Sequence, residues 1–183
     1  MWIEHHGREP DRDLLAAAGA VYSEAFGQPP YHEGPGSAEG FYDRVRRYGA
    51  RAGFRLALCR SGPDVVGLAL SVRSFPGDWW RDHCAATLGP RGTAQWLEPS
   101  IREVVHVAVS PQHERRGAGR LLTEDALDDP DVASVVLSCH PEARPAQSLY
   151  LACGFELLTT EFRTSPGQLG YWLMARRPLR HAR

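Results

Sequence analysis

Between residues 103 and 138 the chain runs strand, glycine-bearing turn, helix, strand, and this unit constrains the fold more than any other feature of the sequence. Residues 103–109 read Glu-Val-Val-His-Val-Ala-Val, a β-branched apolar run that Ser110-Pro111 stops. Gly117 and Gly119 follow, then a helical segment over 120–127 and a second strand over 133–138. Glycines at such a turn let the backbone approach a ligand, and the helix that opens there has amide hydrogens with no partner inside the helix. Arg115, Arg116 and Arg120 add positive charge, so a diphosphate would meet both backbone donors and guanidinium groups. On these residues alone a plain tight turn with solvated arginines remains the alternative. Two other phosphate motifs are excluded. A P-loop needs a lysine, whereas all 21 basic residues are arginine, and a dinucleotide fingerprint needs a third glycine where Leu122 stands.

The remaining elements surround this unit. Residues 2–6 form a short strand, and Asp11 or Asp13 caps a helix through Leu14, Leu15, Ala18, Val21, Tyr22, Ala25 and Phe26 that Gly27 ends. A proline-rich loop over 28–36 leads to Ser37, the expected cap of a second helix through Phe41, Val45 and Tyr48. Residues 54–59 and 65–72 read as antiparallel strands joined by a turn at 61–64. Residues 74–99, with Trp79, Trp80 and Trp96, read as an irregular but ordered insertion. A helix over 143–153 is closed by Gly154, and 155–162 with 169–175 form a closing hairpin. With 43% hydrophobic residues and no internal repeat, one domain over 1–183 is expected, ending in a basic tail from Arg176.

Charge and composition narrow the partners. Against 22 acidic residues the net charge is −1, so no field draws the chain to nucleic acid or anionic lipid. No apolar stretch approaches the roughly 18 residues of a membrane span, and residues 1–13 lack the apolar core of a signal peptide, so the cytoplasm is expected. Cys59, Cys84, Cys139 and Cys153 have no metal-site spacing and read as free thiols, with no metal expected.

Residues 114–119, Glu-Arg-Arg-Gly-Ala-Gly, resemble the Gln/Arg-x-x-Gly-x-Gly/Ala signature of the GNAT superfamily of N-acetyltransferases, with Glu114 in place of Gln or Arg. Residues 146–155, Ala-Gln-Ser-Leu-Tyr-Leu-Ala-Cys-Gly-Phe, look like that family's A-x-x-x-Y-x-x-x-G-F segment, and Ala143 stands where asparagine is common. The resemblance covers about residues 100–156. It implies an α/β (α+β) fold, a mixed, mostly antiparallel sheet of about six to seven strands flanked by about four helices, in which the fourth and fifth strands splay apart. It implies acetyl-CoA (coenzyme A) as cofactor. Glu114, Arg115, Arg116, Gly117, Ala118, Gly119 and Arg120 would take the pyrophosphate, Val107, Ala108 and Val109 the pantetheine arm, with Ala143 and Ala146 also at the cofactor.

Acetyl transfer to an amine needs a neutral nucleophile, yet alkylamines titrate near ~10, so a base must accept a proton. The resemblance makes Glu103 the candidate, against the alternative of a solvated strand-end residue. His106 is the second candidate, and strict alternation sets it on the opposite strand face from Glu103. Tyr150 is the expected acid for the leaving coenzyme A sulfur, within the resemblance to the family tyrosine. Phe26, Tyr31, Trp79 and Trp80 could wall the acceptor, with Glu33, Asp78, Asp82 and Glu98 attracting a cation, and Glu98, His32 and Glu33 as lesser base candidates. The expected reaction is direct acetylation of a small molecule's primary amine in a ternary complex, by a monomer or homodimer. Acetylation of a protein or peptide, and acetyl-CoA sensing without turnover, are the alternatives.

Overall fold

The structure is a computed structural model and describes residues 1–7 and 10–178; positions 179–183 of the basic tail lie outside the described residues. The strands follow the order β1-β2-β3-β4-β5-β7-β6 in a seven-stranded, mostly antiparallel sheet. The chain divides into two compact units, Met1–Val72 with Val105–Asp125, and Arg73–Val104 with the residues from Ala126 onward.

In the first unit, β1 (Trp2–His6) pairs with β2 (Arg55–Ser61), which forms an antiparallel hairpin with β3 (Asp64–Ser74). Helix α1 (Arg12–Phe26) starts where the Asp11 carboxylate accepts from the Asp13 amide at 2.8 Å. Helix α2 (Ser37–Gly49) differs from expectation at its start: left-handed Gly36 (φ 93°) occupies the cap position. Ser37 is instead the first helical residue, and its hydroxyl donates to Ser23 Oγ at 2.9 Å, tying α2 to α1. Gly19 allows the two helices to meet closely, since a Cβ there would lie 2.5 Å from the Tyr42 ring.

Alternation along β2 sends Leu56 and Leu58 into a core with Ala18, Val21, Tyr22, Phe41 and Val45. It sends Ala57 and Cys59 into a second cluster with Ala118 and Leu122. Both faces of β2 are therefore covered, which explains its unbroken apolar run. The cluster of Ala118 and Leu122 fixes helix α4 (Ala118–Ala126) against the hairpin. At Gly67 the fit is tight, because a Cβ would meet Leu122 Cδ1 at 2.9 Å and the Ala108 carbonyl at 3.1 Å.

In the second unit, β4 (Ile101–Val109) contributes its first residues to a parallel pairing with β5 (Ser134–Cys139), with Ile101, Arg102 and Glu103 opposite Ser134, Val135 and Val136. Helix α5 (Arg144–Ala152) leads into β6 (Glu156–Phe162), and the closing hairpin returns as β7 (Tyr171–Arg176), which pairs antiparallel with both β5 and β6. The segment expected to be irregular is largely helical: α3 spans Trp79–Trp96 and breaks at Gly89 (φ 68°) before Pro90. Proline disfavours the helical conformation of the preceding residue, so two short helices adjoin and neither carries a long apolar period. With α3 the described residues hold five helices, one more than expected.

One ion-pair cluster orders this unit. Asp129, 2% exposed, accepts from Arg73 Nη2 at 2.6 Å and Arg73 Nε at 3.0 Å, and from Arg102 Nε at 2.8 Å. Burial pushes its carboxyl pKa up, but hydrogen bonds from Arg73 and the charge of Arg102 outweigh that and hold it below the ordinary 3.8. Its contribution to stability is therefore complete above that value and is lost as pH falls through the folded-state pKa. Asp129→Asn removes the buried negative charge that Arg73 and Arg102 share and is expected to cost about 3–5 kcal/mol, read from the urea midpoint at pH 7.

Candidate active site

At the end of β4 the Ser110 amide donates to the Val66 carbonyl at 2.9 Å, and its hydroxyl donates to Glu24 of α1 at 2.8 Å. A 3-10 turn at Pro111–His113 then directs the chain away from the strand. Two left-handed residues follow, Arg115 at φ 60° and Gly117 at φ 95°. The first α-helical bond of α4 runs from the Leu121 amide to the Gly117 carbonyl at 3.0 Å. The preceding amides of Ala118, Gly119 and Arg120 lie in the turn where a helix has no carbonyl to bond. Left-handed residues before such a helix mouth turn the chain so that the free N–H groups of the first helical turn suit an anion. Gly117 faces open space, and Arg115, Arg116 and Arg120 are exposed around it; Arg120 forms a loose ion pair with Glu124 at 3.6 Å. Glu114 is exposed at the start of this turn, and Val107, Ala108 and Val109 form the strand end that leads to it. This set fits a pyrophosphate.

The first unit also holds His106, and its environment differs from that of a base. Its ring meets the rings of Tyr22 and Phe26 edge-on, with centroids at 5.1 and 5.6 Å, and its Nε2 is buried without a hydrogen-bond partner. Burial, assisted by the Arg44 charge, pushes its pKa down to about 3. Phe26 stacks on Tyr22 at 4.4 Å and meets Tyr31 at 4.7 Å, so two of the expected acceptor-wall residues share one aromatic cluster with His106. The Tyr22 hydroxyl accepts from Arg44 at 2.6 Å and donates to Glu33 at 3.0 Å, a chain no sequence spacing announces. Burial, first, and then neighbouring Glu33 push the Tyr22 pKa up against the opposing charge of Arg44.

In the second unit Glu103 is a buried residue, 3% exposed, which removes the solvated strand-end alternative. Its Oε2 accepts from the Ser74 hydroxyl at 2.6 Å. Nearby Arg81 of α3, itself 4% exposed, pairs with Glu98 at 2.6 Å, while its Nε has no partner. Asp78 and Asp82 accept from the backbone of Phe75 and Gly77 at 2.7 and 3.2 Å, so these carboxylates are used by the turn before α3. Trp80 packs on Phe162 with centroids 5.7 Å apart, whereas Trp79 is 62% exposed and lies against His83. Trp80 is thus a core residue and Trp79 a surface one.

Helix α5 carries Tyr150, 8% exposed, whose ring lies 5.8 Å from Phe155. Ala143 is the buried N-cap residue of this helix and has no side chain to cap with; Gln147 Nε2 donates to the carbonyls of His140 and Pro141 at 3.0 and 2.8 Å, tying the helix to the turn before it. Ala146 is half-buried on the first turn. The helix ends at left-handed Gly154, φ 80°, where Arg176 hydrogen-bonds the Cys153 carbonyl.

A mostly antiparallel sheet with a parallel strand pair and an anion-ready turn at a helix mouth suits a protein that holds a phosphate-bearing cofactor. The chain belongs to the Acetyltransferase (GNAT) family, whose sequence model matches residues 20–155. It is therefore an acyltransferase of a family that uses acetyl-CoA. No curated protein matches the chain. Among solved structures, it is similar to the ribosomal-protein-S18-alanine N-acetyltransferase of Escherichia coli (19% identity, 99% of this chain and 96% of that one, TM-score 0.62). It is also similar to a histone acetyltransferase HPA2 and related acetyltransferase from Corynebacterium glutamicum (16%, 99% of each chain, TM-score 0.62). A third is a chain of the NatC complex bound to Gag peptide and CoA (15%, 98% of this chain and 100% of that one, TM-score 0.60). No helix among the described residues is long and apolar enough to cross a membrane.

Two measurements check the geometry. The His106 ring is expected to remain neutral from pH 9 to pH 5 in a proton NMR titration. Because unfolding restores a pKa near 6.5, this residue makes stability fall as pH drops below that value toward 3. Gly117→Val places a β-branched residue at φ 95° and is expected to weaken coenzyme A binding about tenfold or more in calorimetry, through about 1–3 kcal/mol of backbone strain.

Proposed function

We propose that this chain, acting as one domain, is an acetyl-CoA-dependent N-acetyltransferase that acetylates the primary amine of a small molecule by direct attack in a ternary complex. The observation that carries the reading is the row of amides behind left-handed Arg115 and Gly117, framed by exposed arginines. Glu114, Arg115, Arg116, Gly117, Ala118, Gly119 and Arg120 hold the pyrophosphate, Val107, Ala108 and Val109 offer backbone to the pantetheine arm, and Ala143 and Ala146 contact the cofactor from α5. When bound, acetyl-CoA supplies an acetyl group activated as a thioester.

Glu103 accepts the proton that the acceptor nitrogen loses as the carbon–nitrogen bond forms. Its burial raises the free energy of the carboxylate and makes it a better base than an exposed glutamate. Tyr150 gives its hydroxyl proton to the sulfur as the carbon–sulfur bond breaks. No covalent enzyme intermediate is needed, and buried Cys153 has no role in the transfer. Phe26, Tyr31 and Trp79 wall the acceptor. A cytoplasmic location goes with this reading, in which Cys59, Cys84, Cys139 and Cys153 are buried thiols outside any disulfide. A peptide or protein amine is the second reading, favoured by the likeness to the ribosomal-protein-S18-alanine enzyme and the peptide-bound NatC chain.

Calorimetry is expected to show acetyl-CoA binding; no binding to coenzyme A or its esters overturns the proposal. Thiol release measured across small amines and alanine-starting peptides distinguishes the two acceptor readings, and binding without release under all of them identifies a sensor. Tyr150→Phe should lower turnover by about 10²- to 10⁴-fold with acetyl-CoA binding retained, and an unchanged rate removes the residue from the reaction.

A further inference from the structure

We infer that Ser74, the last residue of β3, is a positioning residue that fixes the Glu103 carboxylate and holds it in the ionised form. The inference deepens the proposed function, because it rests on Glu103 as the proton acceptor. Ser74 is 0% exposed and Glu103 is 3% exposed, and the Oγ to Oε2 distance is 2.6 Å. That length lies in the range of a hydroxyl donating to a carboxylate, which is stronger than a bond between neutral groups. The hydroxyl hydrogen can serve one acceptor only, and here it is directed at one oxygen of the carboxylate.

The surroundings supply the reason for such a device. Glu103 lies opposite Val136 in the β4–β5 register, and around Cys84 of α3 the core is Ile101, Val136, Leu173 and Phe162. The charged and titratable groups that α3 brings toward it are Cys84 and Arg81. The Cys84 thiol is pushed up first by burial and then by the Glu103 charge, while Arg81 opposes the shift. Arg81 is itself engaged by Glu98 at 2.6 Å, and Arg102, next to Glu103 in β4, is engaged by Asp129. Apolar burial of this kind drives a carboxyl toward its neutral form, in which it cannot accept a proton. A hydrogen bond to the charged form acts in the opposite direction and also fixes the rotamer.

The test needs no acceptor. The full chain, carrying ¹³C in its glutamate side-chain carboxyls, is titrated by NMR, with Glu103→Gln identifying the Glu103 resonance. Ser74→Ala is expected to raise the Glu103 midpoint by about one pH unit or more, and Ser74→Thr to restore it. Ser74→Cys, close in volume and a weak donor, should behave like Ser74→Ala and covers the case in which the alanine variant does not fold. Equal midpoints in the wild type, Ser74→Ala and Ser74→Cys overturn the inference. In the rate assay the acidic limb of the pH profile should move with the midpoint in Ser74→Ala. Glu103→Gln at full rate would defeat the base assignment while leaving the titration result standing, so the two failures are told apart.

Discussion

The second unit depends on a single carboxylate. Asp129 lies in the connection before β5, Arg102 in β4 and Arg73 at the end of β3, so one buried anion joins three segments far apart in sequence. Two guanidinium groups around one carboxylate leave a positive excess, which Asp131 reduces by pairing with Arg73 at 2.9 Å. The buried Asp129 and Arg102 charges gain little over apolar residues of the same shape, but once present they disfavour arrangements that separate the pair. Arg102 and Glu103 are consecutive, so fixing the first also limits where the second can point. The register of the parallel pair, Ile101 to Glu103 against Ser134 to Val136, falls on these same residues.

In the first unit the controlling element is backbone conformation. Two left-handed residues, one glycine and one arginine, reorient the chain between β4 and α4, and Gly117 at the helix mouth borders open space. The helix is held behind them by Ala118 and Leu122, packed on small residues of β2 and β3, and by the closeness that Gly67 permits. Cohesion of the apolar side and exposure of the polar side are one design: packing of Ala118 and Leu122 fixes the helix whose first-turn amides have no carbonyl within the helix to bond. Glu114 in place of the usual Gln or Arg changes a side chain but not this row of donors.

Most elements were legible because they carry local signals. The Asp11 cap, Gly27, the hairpin turn at 61–64, Ser110-Pro111 and Gly154 each act within a few residues, and each marks a boundary within about two residues of the observed one. The helix over 79–96 was not legible, because Gly89-Pro90 divides it and its aromatics serve different ends, Trp80 in the core and Trp79 in solvent. At Ser37 the residue type was read correctly as a helix start, but glycine before it took the cap through its left-handed conformation. Side-chain partners across long separations were illegible. Nothing in the sequence links Ser74 to Glu103, Tyr22 to Glu33 and Arg44, or Arg81 to Glu98, because those pairs exist only once strands and helices are in register.

The two residues of β4 that could accept a proton show how environment separates candidates that sequence leaves together. His106 has the more suitable free pKa, near 6.5, yet its aromatic surroundings and the Arg44 charge stabilise the neutral ring so strongly that it is a poor base. Protonation there would place a second cation near Arg44 with no carboxylate on the ring. Glu103 starts from the less suitable free pKa; its burial and the bond it accepts from the Ser74 hydroxyl are the two features on which its proposed role as the base rests. A base works best when it is ionised at the working pH but gains on protonation. On the proposed reading a buried carboxylate that accepts from the Ser74 hydroxyl meets both conditions, whereas an aromatic site with a nearby guanidinium and an unpartnered ring nitrogen meets neither.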